Sequence, residues 1–321
     1  METKTKFELK LGMATREAFG KALVELGRQN QDIMALDADL SKSTYTNLFA
    51  KEFPDRFVEC GIAEANMIGI AAGLASSGKI PFASSFSCFA MNKGFEQLRV
   101  AVAYPNVNVK VVGTHSGISI GEDGPSQMSI EDLGLACSLP NFCVLSPADE
   151  VSMRGLVIAA AVAHTGPVFI RAGRPKAPIV HTAGQNFKIG GSAQLIDGSD
   201  VTIMAHGLLV AEAIRAQEAL ENENISARVV DMYSIKPLDR NAIERAAQQT
   251  RAIVVAEEHL VATGLGVRIA QVIAETRPCA MEFVGIQDRY AESGTPEELM
   301  NKYGLAARNI VSAAKRVISR K

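Results

Sequence analysis

Apolar runs of strand length alternate with segments of helical periodicity along most of the chain. Eight β-branched runs predict strands at Ile33–Leu36, Val107–Val112, Phe142–Leu145, Pro167–Ile170, Val201–Ala205, Ala227–Asp231, Ala252–Ala256 and Met281–Val284. Helical spacing predicts helices at Arg16–Arg28, Ala63–Ala75, Asn92–Ala103, Pro147–Ala163, Val210–Glu221, Asp239–Ala247 and Gly266–Glu275. Strands such as AIVVA are apolar throughout, which is typical of a parallel sheet buried on both faces. We therefore predict an α/β fold with doubly wound, mostly parallel sheets.

The alternation breaks between Arg174 and Asp200, where prolines, glycines and polar residues replace the periodic pattern. This segment predicts an interdomain linker with one short edge strand. We place the boundary near residue 190, which gives a first domain over 1–190 and a smaller second domain over 191–321.

Composition narrows the class of protein. The 321 residues carry 33 Lys and Arg against 35 Asp and Glu, so a basic groove for nucleic acid is not expected. The longest apolar stretch, Leu156–Ala163, is far shorter than the roughly 20 residues that span a membrane, and the first ten residues hold no apolar signal segment. The five cysteines lack CxxC spacing and indicate reduced thiols. These features favour a cytosolic enzyme or enzyme subunit.

Polar side chains follow the predicted strands of the first domain. Asp37 and Asp39 follow the first strand, His115 follows VKVVGT, and Arg171 and Arg174 follow PVFI. Ligands bind at the carboxyl edge of open α/β sheets, so these residues predict a site there.

Two further segments contribute to the same edge. Glu64 begins a helix within CGIAEANMIGIAAGLA, and HSGISIGEDGPSQ forms a glycine-rich loop in which Glu122 and Asp123 precede a helix expected to start at Ser126 or Ser129. Each feature alone is also compatible with an ordinary loop; their coincidence at one edge favours a site.

The motifs together resemble the transketolase family from Ala14 onward. Those similar to its pyrimidine-binding domain are GIAEANMIGIAAGLA, PFASSFSCFAMNKGFEQLR, THSGISIGEDGPSQMSIEDL and FIRAGRP, and those similar to its C-terminal domain are DMYSIKPLD and VVAEEHLVATGLG. The GDG…N motif, which in the family holds the thiamine diphosphate pyrophosphate and its divalent metal, does not occur in the sequence.

The resemblance therefore implies the C-terminal subunit of a split transketolase. Such a subunit transfers a two-carbon ketol unit from a ketose phosphate to an aldose, and it is inactive without an N-terminal subunit. That partner would carry the GDG…N domain, hold Mg²⁺ or another divalent cation, and complete a heterotetramer. No metal ligand is expected in this chain itself.

The resemblance also implies residues that bind the cofactor. Glu64 matches the carboxylate that hydrogen-bonds the aminopyrimidine, and Phe86 and Phe89 match the aromatic residues packed on it. The alternatives are a first-turn acid that stabilises its helix and two core phenylalanines. Gln127 matches a position occupied by His in many relatives, and Asp39 matches a residue near the cofactor, with a strand-end turn as the alternative.

Five matched positions would bind the substrate: Arg16, Ser43, His115 and Arg174 at the phosphate of the sugar, and Asp123 at a hydroxyl near the reacting carbon. Guanidinium groups and short polar donors suit a phosphate or another terminal oxyanion such as a sulfonate.

Three other functions stay open from the sequence. They are the β subunit of a 2-oxoacid dehydrogenase, a split transketolase specialised for an unusual or sulfonated ketose, and a nucleotide-dependent oxidoreductase or non-catalytic scaffold. The second domain has only half of a dinucleotide fingerprint, in ATGLG, so we interpret Glu257, Glu258 and His259 as structural.

Overall fold

The computed structural model describes residues 7–321 and contains two large sheets, each flanked by helices. The strands are β1 (Lys10–Ala14), β2 (Ile33–Asp37), β3 (Phe57–Glu59), β4 (Ile80–Phe86), β5 (Lys110–Thr114), β6 (Cys143–Leu145), β7 (Val168–Arg171), β8 (Lys176–Ile179), β9 (Ala193–Ile196), β10 (Val201–Ala205), β11 (Ala227–Asp231), β12 (Ser234–Lys236), β13 (Ala252–Leu260) and β14 (Ala280–Ile286). The α-helices are α1 (Thr15–Gln29), α2 (Ser41–Thr44), α3 (Asn47–Glu52), α4 (Glu64–Ser76), α5 (Ser87–Lys93), α6 (Phe95–Gln97), α7 (Asp132–Ser138), α8 (Glu150–Val162), α9 (Leu209–Glu221), α10 (Arg240–Gln249), α11 (Leu265–Glu275), α12 (Pro296–Lys302) and α13 (Ala307–Ile318).

The strand order confirms the predicted fold class. The first sheet runs β12-β6-β7-β5-β4-β2-β3 and is parallel except for β12. The second runs β14-β13-β10-β11-β9 and is parallel except for β9. A third, two-stranded sheet pairs β1 with β8 antiparallel. Parallel strands buried on both faces explain why their sequences are nearly continuous apolar runs.

Each predicted strand and helix has a counterpart whose bounds agree within a few residues. The structure differs from the prediction in one divided helix and in strands that were not predicted. The predicted helix Asn92–Ala103 is divided into the end of α5, the short α6 and a π-helical segment, Leu98–Ala103. Strand β4 was not predicted, because IPFASSF contains a proline and two serines. Within the sheet Ser84 satisfies its hydroxyl by donating to Val112 O at 3.1 Å, so a polar residue is tolerated in a buried strand.

The helix start expected at Ser126 or Ser129 was wrong. Helix α7 begins at Asp132, because Ser129 O accepts a hydrogen bond from Gly117 N at 2.8 Å and closes the intervening segment into a loop. We call residues 116–131 the 116–131 loop. The segment after Arg174 contains two short strands, β8 and β9, where one was expected.

The two halves of the chain are interlocked. Strand β12 follows the second sheet's β11 in sequence, yet it pairs with β6 of the first sheet. In the opposite direction, apolar side chains of the 116–131 loop are buried in the same cluster as the helices and strands of the second sheet: Ile118, Ile120, Met128 and Ile130. No helix within residues 7–321 has the length and apolar character needed to cross a membrane.

Candidate active site

Glu64 occupies the first position of α4, as its sequence predicts, and its side chain is only 4% exposed. The carboxylate Oε2 lies 3.6 Å from the Lys93 ammonium at the end of α5, whose side chain is 51% exposed. The amino end of a helix favours a negative charge, and Lys93 adds to that effect. A nearly buried carboxylate therefore lies at the amino terminus of a helix, with one cation beside it.

Two aromatic rings continue from this carboxylate. Phe86 ends β4 and Phe89 lies on α5, and their rings stack with centroids 5.6 Å apart. The Lys93 ammonium also lies over the Phe89 ring, 4.4 Å from its centroid. Glu64, Lys93 and Phe89 thus form one continuous patch of charge and aromatic surface.

His115 stacks on the other side of this aromatic pair, with its ring centroid 3.8 Å from that of Phe86. Its Nε2 lies 3.2 Å from Arg16 Nη1. Arginine can only donate, so Nε2 accepts and the ring proton belongs on Nδ1, which lies 2.9 Å from Thr114 Oγ1. Burial, together with the charges of Arg16 and Arg174, lowers the pKa of His115 to about 3. His115 is therefore a neutral ring that orients Arg16.

Arg16 connects His115 to the remaining predicted anion-binding residues. Its Nη1 donates to Ser43 O at 2.8 Å, and its Nε donates to Arg174 O at 3.3 Å. Its guanidinium carbon lies 5.4 Å from the centroid of the Tyr45 ring. The structure thus brings Arg16, Ser43, His115 and Arg174 together, although Ser43 and Arg174 meet Arg16 through their backbone carbonyls.

The guanidinium of Arg174 points to the 116–131 loop. Its Nη1 donates to Ile120 O and to Glu122 Oε2, the latter at 2.9 Å. Two guanidinium groups therefore converge on the carboxyl edge of the first sheet, one supported by His115 and one by this loop.

Asp37, the last residue of β2, builds the segment that carries Ser43. Its Oδ1 accepts from Leu40 N at 2.6 Å, and its Oδ2 accepts from the hydroxyls of Thr44 and Thr46 at 2.7 and 2.8 Å. Burial raises the pKa of Asp37 to about 6. This anchored carboxylate explains how α2 is fixed beside Arg16.

The three other predicted site residues are Asp39, Gln127 and Asp123. Asp39 is exposed with a φ of 62°, and its N–H donates to Glu59 Oε1 at 2.8 Å. Gln127 is half-buried and accepts from Ser126 Oγ at 2.6 Å. Asp123 is exposed, next to Glu122 in the same loop.

Six of the predicted residues, together with Lys93, form a continuous row along one sheet edge. Its order is Glu64, Lys93, Phe89, Phe86, His115, Arg16 and Arg174. A buried carboxylate beside an aromatic surface suits a flat heterocycle with ring nitrogens, and two guanidinium groups suit a terminal oxyanion. The row can therefore bind a heteroaromatic ring at one end and an anion at the other.

Sequence reasoning missed Lys93, which belongs to this row, and two residues that contact it: Tyr45 beside Arg16 and Thr114 beside His115. Lys93 is the charge partner of a residue 29 positions earlier, and no local pattern signals such a pair. Among residues 7–321 there is no group of three or more His, Cys, Asp or Glu side chains arranged to hold a metal ion.

Comparisons with known proteins agree with this arrangement. The model of the transketolase pyrimidine-binding domain matches residues 12–179, and that of the transketolase C-terminal domain matches residues 191–310. A chain from Methanocaldococcus jannaschii, described as a transketolase C-terminal section, is 43% identical over 94% of this chain and 95% of its own length. The 6-deoxy-6-sulfo-D-fructose transketolase subunit SqwH of Clostridium sp. is 39% identical over 98% of both chains.

Longer relatives and solved structures extend this result. Human transketolase is 38% identical over 96% of this chain but only 49% of its own length, so the chain spans about half of such single-chain enzymes. A solved structure titled "Split gene transketolase, inactive beta4 tetramer" is 49% identical with a TM-score of 0.90, over 96% of this chain and 99% of that one. One family model alone covers more than half of the residues, and near-full-length relatives agree with it. The chain belongs to the transketolase family and corresponds to its pyrimidine-binding and C-terminal domains.

Proposed function

We propose that this chain is the C-terminal subunit of a two-chain, thiamine-diphosphate-dependent transketolase. It would transfer a two-carbon ketol unit from a ketose phosphate to an aldose once an N-terminal subunit is bound. The observation that carries the proposal is the continuous row from Glu64 to Arg174, which pairs a ring-binding end with an anion-binding end. The near-full-length match to a transketolase C-terminal section and to a transketolase subunit supports the two-chain arrangement.

Glu64, Phe86 and Phe89 fit the aminopyrimidine of thiamine diphosphate. The cofactor supplies a nucleophilic carbon when its ring is held in the imino form. Glu64 would hold a proton at a ring nitrogen, through a carboxyl group that is 4% exposed and lies in line with the two aromatic rings. Phe89 and Phe86 would pack against the ring, with Gln127 and Asp39 as further cofactor contacts.

Arg16 and Arg174 would bind the terminal anion of the sugar. His115 would act mainly by orienting Arg16, since its Nε2 accepts a hydrogen bond from that guanidinium. Ser43 would contribute a short polar group beside Arg16, and Asp123 would bind a hydroxyl near the reacting carbon.

The partner subunit would hold the cofactor's pyrophosphate and Mg²⁺, and two copies of each chain would form a heterotetramer in the cytoplasm. The similar split-gene structure is an inactive tetramer of β chains, which favours a need for a second kind of chain. Within this chain we propose domains over 1–190 and 191–321.

A reconstitution assay tests the proposal. The chain would be assayed for ketol transfer with thiamine diphosphate and Mg²⁺, alone and with its candidate partner. We expect activity only in the mixture, and Glu64→Gln should reduce kcat by at least about 100-fold because acid–base help typically contributes that much. Glu96→Gln is the matched control, since Glu96 is an exposed acid on α6 that pairs with Arg99.

Activity of the chain alone would contradict the two-chain proposal. A stable complex with no ketol transfer from any ketose, but with decarboxylation of a 2-oxo acid, would contradict the transketolase reaction itself. Full activity of Glu64→Gln would contradict the role of Glu64.

A sulfonated ketose is a second candidate substrate, favoured by the match to the 6-deoxy-6-sulfo-D-fructose transketolase subunit. Both phosphate and sulfonate satisfy two guanidinium donors. Parallel assays with a ketose phosphate and with 6-deoxy-6-sulfo-D-fructose would decide between them through the ratio of the two kcat/KM values.

A further inference from the structure

The second half of the chain reaches directly into the loop that holds Arg174. Glu258 on β13 of the second sheet is 3% exposed, and its Oε1 accepts a hydrogen bond from Ser119 N at 2.6 Å. Ser119 precedes Ile120, whose carbonyl accepts from Arg174 Nη1. Two consecutive backbone groups therefore connect a carboxylate of the second sheet to a guanidinium of the anion-binding end.

Gly117 makes this approach possible. Its φ is +80°, a backbone conformation that residues other than glycine rarely adopt. A Cβ at this position would overlap the Glu258 carboxylate. The loop backbone thus lies against Glu258 with no room between them, which restricts how far Ser119 can shift.

Other contacts fix the loop to the same strand. Leu260 N donates to Ile130 O at 2.9 Å, and Arg171 Nη2 donates to both Ser129 O and Glu258 O at 3.1 and 2.9 Å. Both ends of the loop are therefore held by β13 or by an arginine bonded to it.

We propose that Glu258 is a positioning residue for the terminal anion of the substrate. It holds Ser119 and Ile120 in place, and Ile120 O together with Glu122 then fixes the guanidinium of Arg174. This role deepens the proposed function and rests on Arg174 binding that anion. It also gives the C-terminal domain a direct part in substrate selection.

Glu257 provides a matched control one residue away. It is 1% exposed and also accepts backbone hydrogen bonds, from Leu265 N at 2.7 Å and Gly266 N at 2.9 Å. Those donors begin α11, so Glu257 caps a helix of its own half, while Glu258 bonds to the anion-binding half.

The experiment compares Glu258→Met and Glu257→Met, which keep side-chain length and remove the acceptor, with Glu258→Gln, which restores a neutral acceptor. In the assembled enzyme, Glu258→Met should raise KM for a ketose phosphate by about tenfold or more, because hydrogen bonds to charged groups are among the stronger ones. The KM for the same ketose without its phosphate should stay unchanged, as should kcat. Glu258→Gln should recover part of the loss, and Glu257→Met should leave the preference for the phosphorylated ketose unaltered.

A direct binding measurement separates this proposal from the proposed reaction. The dissociation constant of inorganic phosphate with this chain should rise in Glu258→Met and not in Glu257→Met, whether or not ketol transfer is seen. If Glu258→Met does not fold, Glu258→Gln against Glu257→Gln decides, with about a fivefold weaker phosphate affinity expected only in the former. The positioning role would be overturned if Glu258→Met raised KM equally for the phosphorylated and the unphosphorylated ketose. It would also be overturned if the Glu257 and Glu258 variants had equal effects on phosphate affinity.

Discussion

The neutral state of His115 gives a sharp prediction about pH. A change in its pKa from 6.5 to about 3 means that protonating His115 costs about 5 kcal/mol more free energy than protonating a free histidine. For His115 to become charged at pH 5.5, a bound anion would have to raise that pKa by about 2.5, which requires about 3 kcal/mol. It would also have to break the hydrogen bond from Arg16 to Nε2, since a protonated Nε2 cannot accept.

We therefore expect the affinity for a sulfonate to be constant between pH 5.5 and 8. A sulfonate does not titrate in this range, so any change would report the protein. A phosphate ester has its second pKa near 6, and its affinity should strengthen as the dianion forms. Calorimetric titration of this chain with 6-deoxy-6-sulfo-D-fructose and with fructose 6-phosphate measures both profiles.

A sulfonate affinity that rises about tenfold per pH unit below 6.5 would refute the neutral assignment, because it would mean that His115 gains a proton on binding. His115→Gln is the control. Its amide oxygen can still accept from Arg16, so its sulfonate profile should be as flat as that of the unsubstituted chain. A pH dependence present in the unsubstituted chain and absent in this variant would place the titration on His115 itself.

Two further predictions concern Phe89 at the ring-binding end and Lys110, the first residue of β5. Phe89→Ala should weaken thiamine diphosphate binding by the assembled enzyme about tenfold, because aromatic packing contributes on the order of 1 kcal/mol beyond area burial, while the phosphate affinity of the chain should not change. Lys110 is fully buried, donates to the carbonyls of His164 and Gly166, and has a pKa lowered to about 7 by burial. Above pH 7 the unfolded chain therefore binds a proton that the folded chain has lost. The contribution of this group to the free energy of unfolding should rise between pH 7 and 8.5, by up to about 1.4 kcal/mol per pH unit. Denaturant titrations at several pH values measure this, and the increase of the free energy of unfolding with pH should be smaller in Lys110→Met.

The sequence allowed the fold class and most elements to be predicted because burial on both faces leaves a strong signal. Strand β13, in its AIVVA segment, and strand β10 are apolar at every position or nearly so, and such runs leave no solvent face. Strand β4 lies inside the first sheet, between β5 and β2, with no such signal, and Ser84 satisfies its hydroxyl only by donating to Val112 O of the neighbouring strand. The missing information was a long-range hydrogen bond that no local pattern records.

The same limit applies to the candidate site. The residues matched by resemblance could be named from the sequence, and the position of Glu64 at a helix start could be predicted from its small and apolar neighbours. The tautomer of His115, the pairing of Lys93 with Glu64 and the contact of Glu258 with Ser119 could not, because each depends on segments distant in the sequence that meet only in the fold. Glu258 is the clearest case: its neighbour Glu257 is the same residue type with similar burial, yet it bonds to a different half of the molecule.

The anion-binding end of the row is closer to its binding arrangement in this chain alone than the ring-binding end is. Arg16 and Arg174 are already fixed by His115, by backbone carbonyls and by Glu122, so the anion-binding end needs little rearrangement before it can bind. At the other end, the Lys93 ammonium lies 3.6 Å from the Glu64 carboxylate and 4.4 Å from the centroid of the Phe89 ring. Lys93 therefore covers the Phe89 ring against which the cofactor would pack, so that end must change when cofactor and partner arrive. Phosphate binding should thus be a property of the free chain, whereas the chemistry at Glu64 should appear only in the assembled enzyme.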